Sequence, residues 1–255
     1  MNLLALDIGN TTSKLGLFED SRLLVHGQVP TDRFSRHSRR WLLSFLRHTG
    51  RSIDDLTAIA LTSVVPAATD ALLAGGWLPT KPFIITGKTP TRLVNRYRPP
   101  ARLGADRLVT ALAAAHFHQP PVICASFGSA IVVDAVSAEC EFLGGAILPG
   151  LRLQAQALGT LDLLPEVKLS SPPTSPIADT TTAAIEAGIV LGAAEAVAGL
   201  ARRFRRQIGK QAKLIVTGGD ALALLPYLPK GTLHRPNLAL EGIRLAWAEA
   251  VGGKR

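Results

Sequence analysis

The apolar positions of this chain change rhythm several times, and those changes separate strands from helices. Short apolar runs bounded by turn residues predict strands at about 2–7, 13–18 and 22–28. A helix follows near 36–49, where Leu42, Leu43, Phe45 and Leu46 share an apolar face. Ala58 to Thr62 reads as a buried strand, Val65-Pro66 as a change of direction, Ala67 to Ala74 as a helix, and Phe83 to Ile85 as another strand. The polar stretch from Thr91 to Leu103, with Pro99-Pro100, is a loop well placed to shape a pocket. It leads to an Ala-rich helix that begins near Gly104. A strand hairpin followed by alternating helices and strands indicates an α/β layer.

The same pattern then begins again. Val122 to Ala125 is an apolar strand that enters Ser126-Phe127-Gly128-Ser129-Ala130, and strand runs resume at Ile131 to Val133, Phe142-Leu143 and Ala146 to Leu148. Ser126 stands where Asp7 stands in the first half, and Gly128 where Gly9 stands. Two hairpin-led halves, residues 1–114 and 115–255, suggest a duplicated fold. In the second half a Pro- and Ser-rich surface loop, Ser170 to Pro176, precedes a long helix from about Thr181 to Arg206. Leu214 to Val216 is a strand that ends in Thr217-Gly218-Gly219-Asp220 before a helix.

These strand ends hold the candidate chemistry. In Asp7-Ile8-Gly9-Asn10-Thr11-Thr12-Ser13-Lys14, Gly9 lets the backbone approach an anion closely. The amides and hydroxyls that follow can donate to phosphate oxygens, and Asp7 can hold a hydrated Mg²⁺. Asp-x-Gly-Asn also serves ordinary hairpin turns, and Gly-Gly before a helix is commonly only a connection. Asp106 and Arg107 open the Ala-rich helix, where a carboxylate also interacts favourably with the helix dipole. A kinase acting on an alcohol needs such a carboxylate to take or orient the hydroxyl proton.

Composition narrows the classes. At 255 residues and 47% hydrophobic, the chain can build a substantial core. No apolar run approaches the ~20 uncharged residues that span a bilayer, and no basic region precedes an N-terminal apolar stretch, so a cytoplasmic location is the default. The two cysteines, Cys124 and Cys140, are too few for a disulfide framework. The net charge of +9 raises nucleic acid as a partner. One basic concentration runs from Arg33 to Arg51, another from Arg202 to Lys213, but neither is interleaved with the aromatics of a base-stacking platform. Specific nucleic-acid binding is therefore not favoured, and attraction of anionic nucleotides is a sufficient alternative. His116 and His118 are two apart near a helix end and do not share a face as metal ligands would.

Taken together, the Asp7, Ser126 and Thr217 loops resemble the two phosphate loops and the adenosine loop of the actin-like ATPases. Within that superfamily the chain resembles type III pantothenate kinases in an ordered set of motifs: Asp7-x-Gly9-Asn10-Thr11 with Lys14, Ser63 to Pro66, Tyr97 with Gly104-Ala105-Asp106-Arg107, Gly144 to Gly150, Thr181 with Ala184-Ile185, and Thr217-Gly218-Gly219. The resemblance runs from Asp7 to Gly242.

What it implies is ATP-dependent phosphorylation of pantothenate to 4′-phosphopantothenate, the first step of coenzyme A biosynthesis. It also implies two ribonuclease-H-like domains with the active site in the cleft between them, in a homodimer. By the resemblance, Asp7 to Lys14 hold ATP and Mg²⁺, and Ser129 adds a phosphate contact. Tyr97, Gly104, Ala105, Asp106, Arg107 and Thr181 bind pantothenate, with Asp106 as the base. The departure is at Ser126, where the family's second loop has an aspartate that serves a monovalent-cation site for K⁺ or NH₄⁺. Serine offers a neutral oxygen, and Ile131 and Val132 replace two hydroxyls, so the K⁺ site is expected to be lost. The other reading that the altered loop leaves open is a catalytically weak or inactive relative that acts as a nucleotide-binding regulator.

Overall fold

A computed structural model of the chain describes residues 1–169, 173 and 175–252. They form two compact units, Met1–Ala113 with Leu238–Arg255, and Ala114–Asn237. In the first unit β1 (Asn2–Ile8), β2 (Thr12–Glu19) and β3 (Arg22–Pro30) make an antiparallel meander. The helices α1 (Thr31–Arg47) and α2 (Pro66–Leu73) alternate with β4 (Ala58–Ser63) and β5 (Phe83–Ile84), which add in parallel on the other side of β1. The sheet order is β3-β2-β1-β4-β5.

The sequence explains these places. β1 is the central strand, and its near-continuous apolar run is buried on both faces; β3, at the edge, alternates exposed and half-buried positions. On α1 the buried residues Phe34, Ser38, Leu42 and Leu46 recur every fourth position and face a core that includes Leu15, Leu17, Ile59 and Leu61. The helix starts at Thr31, not near 36, and His37, with non-helical angles (φ −142°, ψ 38°), kinks it between its two segments. The predicted loop at 91–103 contains a two-residue strand, β6 (Val94–Asn95), before α3 (Ala105–His118).

The second unit repeats the plan. It holds β7 (Val122–Phe127), β8 (Ala130–Val136), β9 (Glu141–Pro149), α4 (Leu151–Leu158), α5 (Thr181–Ile208), β10 (Lys213–Thr217), α6 (Ala221–Leu224) and β11 (Leu233–His234). Its strands run β9-β8-β7-β10-β11, with β7–β8 and β8–β9 antiparallel and the other pairs parallel. That is the order and sense of the first sheet. Ser170, Ser171, Pro172 and Thr174, within the predicted Ser170–Pro176 loop, lie outside the described residues.

α5 is long and apolar enough, by length and composition, to cross a membrane, which the count of uncharged residues had not anticipated. Its Ile185, Ile189, Val190 and Val197 instead pack in the core with Phe127, Val133 and Leu214.

The sequence pattern groups residues 115–255 as one half, but the last helix, α7 (Leu238–Gly252), belongs to the first unit. Leu240 packs at Gly16, the Arg244 guanidinium lies 5.7 Å from the Phe18 ring, and a Cβ at Gly242 would overlap the Val109 backbone. An apolar terminal helix carries no sequence mark of which sheet it covers.

Candidate active site

Asp7 sits near the end of the central strand, and register sets its neighbours. It pairs with Lys14 on β2 and with Thr62 on β4, so all three side chains project from one face of the sheet. The Thr62 hydroxyl donates to Asp7 Oδ1 at 3.0 Å, and Lys14 Nζ lies 3.9 Å from Oδ2. Asp7 is only 8% exposed, and burial pushes its pKa above the ordinary carboxylate range. Lys14 and the Thr62 bond oppose that shift, while the charge of Asp106 adds to it. The carboxylate is thus under-neutralised by the protein alone, which suits a cation bound there.

The loop after β1 is a tight turn in which Gly9 N–H donates to Thr12 O at 3.2 Å. It is fixed from below: Thr31 Oγ1 donates to Gly9 O at 2.6 Å and lies 3.0 Å from Ser13 Oγ, while Thr31 N–H donates to Thr11 O at 3.0 Å. Ser13 and Thr31 are buried, so the Ser13 hydroxyl belongs to this foundation and the Ile8 side chain to the core. Asn10 and Thr11 stand exposed at the tip. Sequence reasoning missed Thr31; its only signal was a hydroxyl placed at the start of α1.

Asp106 and Arg107 begin α3, whose first amides, those of Arg107 and Leu108, donate to Gly104 O at 3.2 Å each. A Cβ at Gly104 would lie 2.5 Å from Asp106 Oδ1, so a side chain there would turn the carboxylate away from its present position. Among the described residues no hydrogen bond engages the Asp106 carboxylate, which leaves its lone pairs open to a substrate hydroxyl. Arg107, 9% exposed, lies with its guanidinium 5.2 Å from the Tyr97 ring. Tyr97 N–H donates to Asn95 Oδ1 at 2.9 Å, and Asn95 Nδ2 donates to Gly87 O at 2.9 Å, so a single asparagine shapes the Tyr97 loop. The first unit therefore brings together Asp7, Lys14, Asp106, Arg107 and Tyr97.

In the second unit Ser126 takes the topological place of Asp7. It pairs with Val132 on β8 and Thr217 on β10, where Asp7 has Lys14 and Thr62. Val132 does stand beside Ser126. Ile131 does not: it is 1% exposed in the core, on the opposite face of the strand, so it never offered a ligand position. The exposed loop residue Ser129 accepts from Gly150 N–H at 3.1 Å through its carbonyl, and side chains at Gly150 and Gly218 would strike the loop backbone. Asp220 N–H donates to Phe127 O at 3.3 Å, and burial raises the Asp220 pKa against the pull of Arg152. The side-chain oxygens around this position are those of Ser126, Thr217 and Asp220, of which only Asp220 is a carboxylate.

Thr181 is exposed at the first position of α5, and Thr180 caps that helix, accepting from Ala183 N–H at 3.3 Å. Thr181 lines an apolar cavity of about 610 Å³ with Leu153, Leu158, Ala184 and Gly188. Among the described residues no group of three His, Cys, Asp or Glu side chains could hold a metal ion.

Comparison with known proteins places the chain in a family. Residues 3–203 match the family model of type III pantothenate kinase. The chain is 36% identical over 250 residues to a type III pantothenate kinase from Thermomicrobium roseum, covering 96% of each chain. It is 35% identical to one from Roseiflexus sp. strain RS-1, covering 96% of this chain and 98% of the relative. A crystal structure described as a putative Baf family transcriptional activator from Campylobacter jejuni shares the fold at TM-score 0.63 and 18% identity, over 98% of this chain and 99% of that one.

Proposed function

The chain belongs to the type III pantothenate kinase family, and we propose that it transfers the γ-phosphoryl group of ATP to the primary hydroxyl of pantothenate, opening coenzyme A biosynthesis in the cytoplasm. The observation that carries this reading is the pair of carboxylates in the first unit, one buried and under-neutralised and one open at a helix start. Asp7 is the residue to hold Mg²⁺, which when bound offsets the negative charge of the phosphates. The amides of Gly9 to Thr12 and the Lys14 ammonium hold phosphate oxygens from the first unit, and Ser129 contributes from the second. Tyr97, Gly104 to Arg107 and Thr181 bind pantothenate.

Asp106 then works as the base. It takes the hydroxyl proton as the alcohol oxygen bonds to the γ-phosphorus and the bond from that phosphorus to the bridging oxygen of ADP breaks. Phosphoryl transfer demands mainly alignment and charge stabilisation, which is why Asp106 is held by the first turn of a helix.

The protein acts as a homodimer, with α5 at the subunit boundary. In support, Ala184, Gly188 and Gly192 stand exposed on this helix, and a Cβ at either glycine would meet nothing within 4 Å. Nearby chain segments expose Leu153 at 51% and Ile147 at 61%. A second copy would cover an apolar face that solvent otherwise wets.

Purified protein given Mg·ATP and pantothenate is expected to yield phosphopantothenate and ADP in equal amounts. Asp106→Asn keeps the shape but cannot take the proton, so kcat should fall by ~10²-fold or more, with thermal melting and nucleotide binding unchanged. Product at the parent rate from that variant removes Asp106 from its role. No product from the parent overturns the function.

A further inference from the structure

The outward face of α1 has no part in the chemistry above, yet it concentrates charge. We infer that this face binds the phosphate backbone of single-stranded nucleic acid, without regard to sequence. Arg33, Arg36, Arg40 and Arg47 are all exposed, on both sides of the kink at His37; the first three line one open depression and Arg36, Arg40 and Arg47 line another, which places them in one stripe on the same side of the helix. Together the two depressions draw on five arginines, Arg33, Arg36, Arg39, Arg40 and Arg47, more than one small anion can engage.

Nothing within the unit explains this charge. The one acidic residue of α1, Asp32, pairs with Arg36 at 2.6 Å. Arg33 lies in the first turn, at the positive end of the helix dipole, and like charges at i, i+3 and i+4 repel along the remainder. The arrangement costs stability without an internal return. The basic cluster at the end of α5 is different: Arg205 and Arg206 lie in its last turn, where the dipole favours cations, and Arg205 Nε donates to Ala212 O at 2.9 Å.

The surroundings point to a nucleic acid more than to an acidic protein. Two open depressions of about 510 and 1000 Å³ flank the stripe, and no carboxylate lines either. Trp41, 36% exposed, lines the smaller one with Arg33, Arg36 and Arg40. Trp77, distant in sequence, lines the larger and stacks under Arg39 at 6.0 Å. One indole, Trp41, comes from the basic run itself and the fold adds Trp77; an indole beside a row of guanidinium groups suits a base stacked next to its phosphate.

The test is fluorescence anisotropy of the full chain with a labelled mixed-sequence RNA of about 20 nucleotides, from 50 to 200 mM KCl. Four neutralised phosphates give a slope of log K against log salt near −2.8, at about −0.7 each. Arg33→Gln/Arg40→Gln/Arg47→Gln should weaken binding at least tenfold and flatten the slope by about 2, with pantothenate phosphorylation unchanged. Trp41→Ala should weaken single-strand binding several-fold more than duplex binding. Arg202→Gln/Arg206→Gln should leave both intact. Undiminished binding by the triple α1 variant overturns the inference. So does equal affinity for polyglutamate of matched charge, which means an acidic-protein surface, or displacement by inorganic triphosphate at nucleotide-equivalent concentration, which means a small-anion site.

Discussion

Replacing Asp7 by Asn should destroy activity and stabilise the ligand-free protein. The opposing effects at Asp7 are all on one sheet face. Lys14 at 3.9 Å attracts the carboxylate by about 4 kcal/mol at an effective dielectric constant near 20. The charge-assisted bond from Thr62 adds roughly 1.5–3 kcal/mol. Removing a carboxylate from water costs several kcal/mol, and the repulsion of Asp106 is added to that. Burial wins, since the pKa of Asp7 is raised. Asn keeps the acceptor for Thr62 and removes the charge, so a gain of roughly 1 kcal/mol, or ~2–4 °C in melting temperature, is expected.

The sign fixes the pH dependence. With the folded pKa above the unfolded value of 3.8, the folded state binds more protons between the two, and parental stability falls as pH rises through that window. The gap between variant and parent should therefore be absent below pH 3.8 and grow to its full size above the folded pKa. Thermal melts of ligand-free protein from pH 4 to 8 measure it. Saturating Mg·ATP should reverse the order, because the parent, with the carboxylate that holds Mg²⁺, gains more binding energy than the variant. A variant less stable than the parent at pH 8 without ligand, or a gap independent of pH, refutes the reasoning.

Three further outcomes follow from other parts of the structure. Gly242→Ala sets a Cβ against the Val109 backbone, where neither side can yield cheaply, and should cost ~1–3 kcal/mol in a denaturant titration; a neutral result would dissociate α7 from α3. Light scattering at micromolar concentration should give the mass of two chains, and a monomer with full turnover would count against the dimer. Initial rates should differ little among Na⁺, K⁺ and NH₄⁺ salts at fixed ionic strength, for the parent and for Ser126→Asp alike. A tenfold K⁺ activation of the parent, about 1.4 kcal/mol of barrier, would mean that another group supplies the missing charge, with Asp220 the first to replace.

Most of the strands and the duplicated plan were legible in the sequence because each half opens on an apolar run and a glycine turn, and hairpins leave strong local signals. The elements β6, β11, α4 and α7 were unread for different reasons. A two-residue strand such as β6 has no period to detect. The eight residues of α4 mix Arg152, Gln154 and Gln156 among leucines and alanines, so no apolar run announces them. α7 is apolar, but its partner sheet lies at the other end of the chain. At the site, Asp7, Lys14 and Asp106 stand out in the sequence because a charged side chain at a strand end or helix start is conspicuous. Thr31 and Asn95 were not, since a hydroxyl or amide that braces a loop resembles any other polar residue until its partners are known. Ile131 was misjudged because linear order cannot tell which of two adjacent strand residues faces the loop; pairing with Phe127 turns it into the core.

The two sheets also separate what a phosphate loop needs from what an ion site needs. In the first unit the central position carries charge on both sides of the register, Asp7 beside Lys14, with Thr62 bonded to the carboxylate. In the second the equivalent position is Ser126 beside Val132, with Thr217 on the other flank. What persists there is backbone: Gly218 lies against Phe127, and Gly150 against Gly128 and Ser129, so tightly that no side chain fits at either glycine. A loop shaped by main-chain packing keeps its amides pointed whether or not a carboxylate stands beneath it, so donation to phosphate can outlive the loss of the cation. Holding K⁺ depends on side-chain oxygen and charge, and valine supplies neither. Charge at the central position is thus a property of the first sheet, and main-chain packing the property of the second.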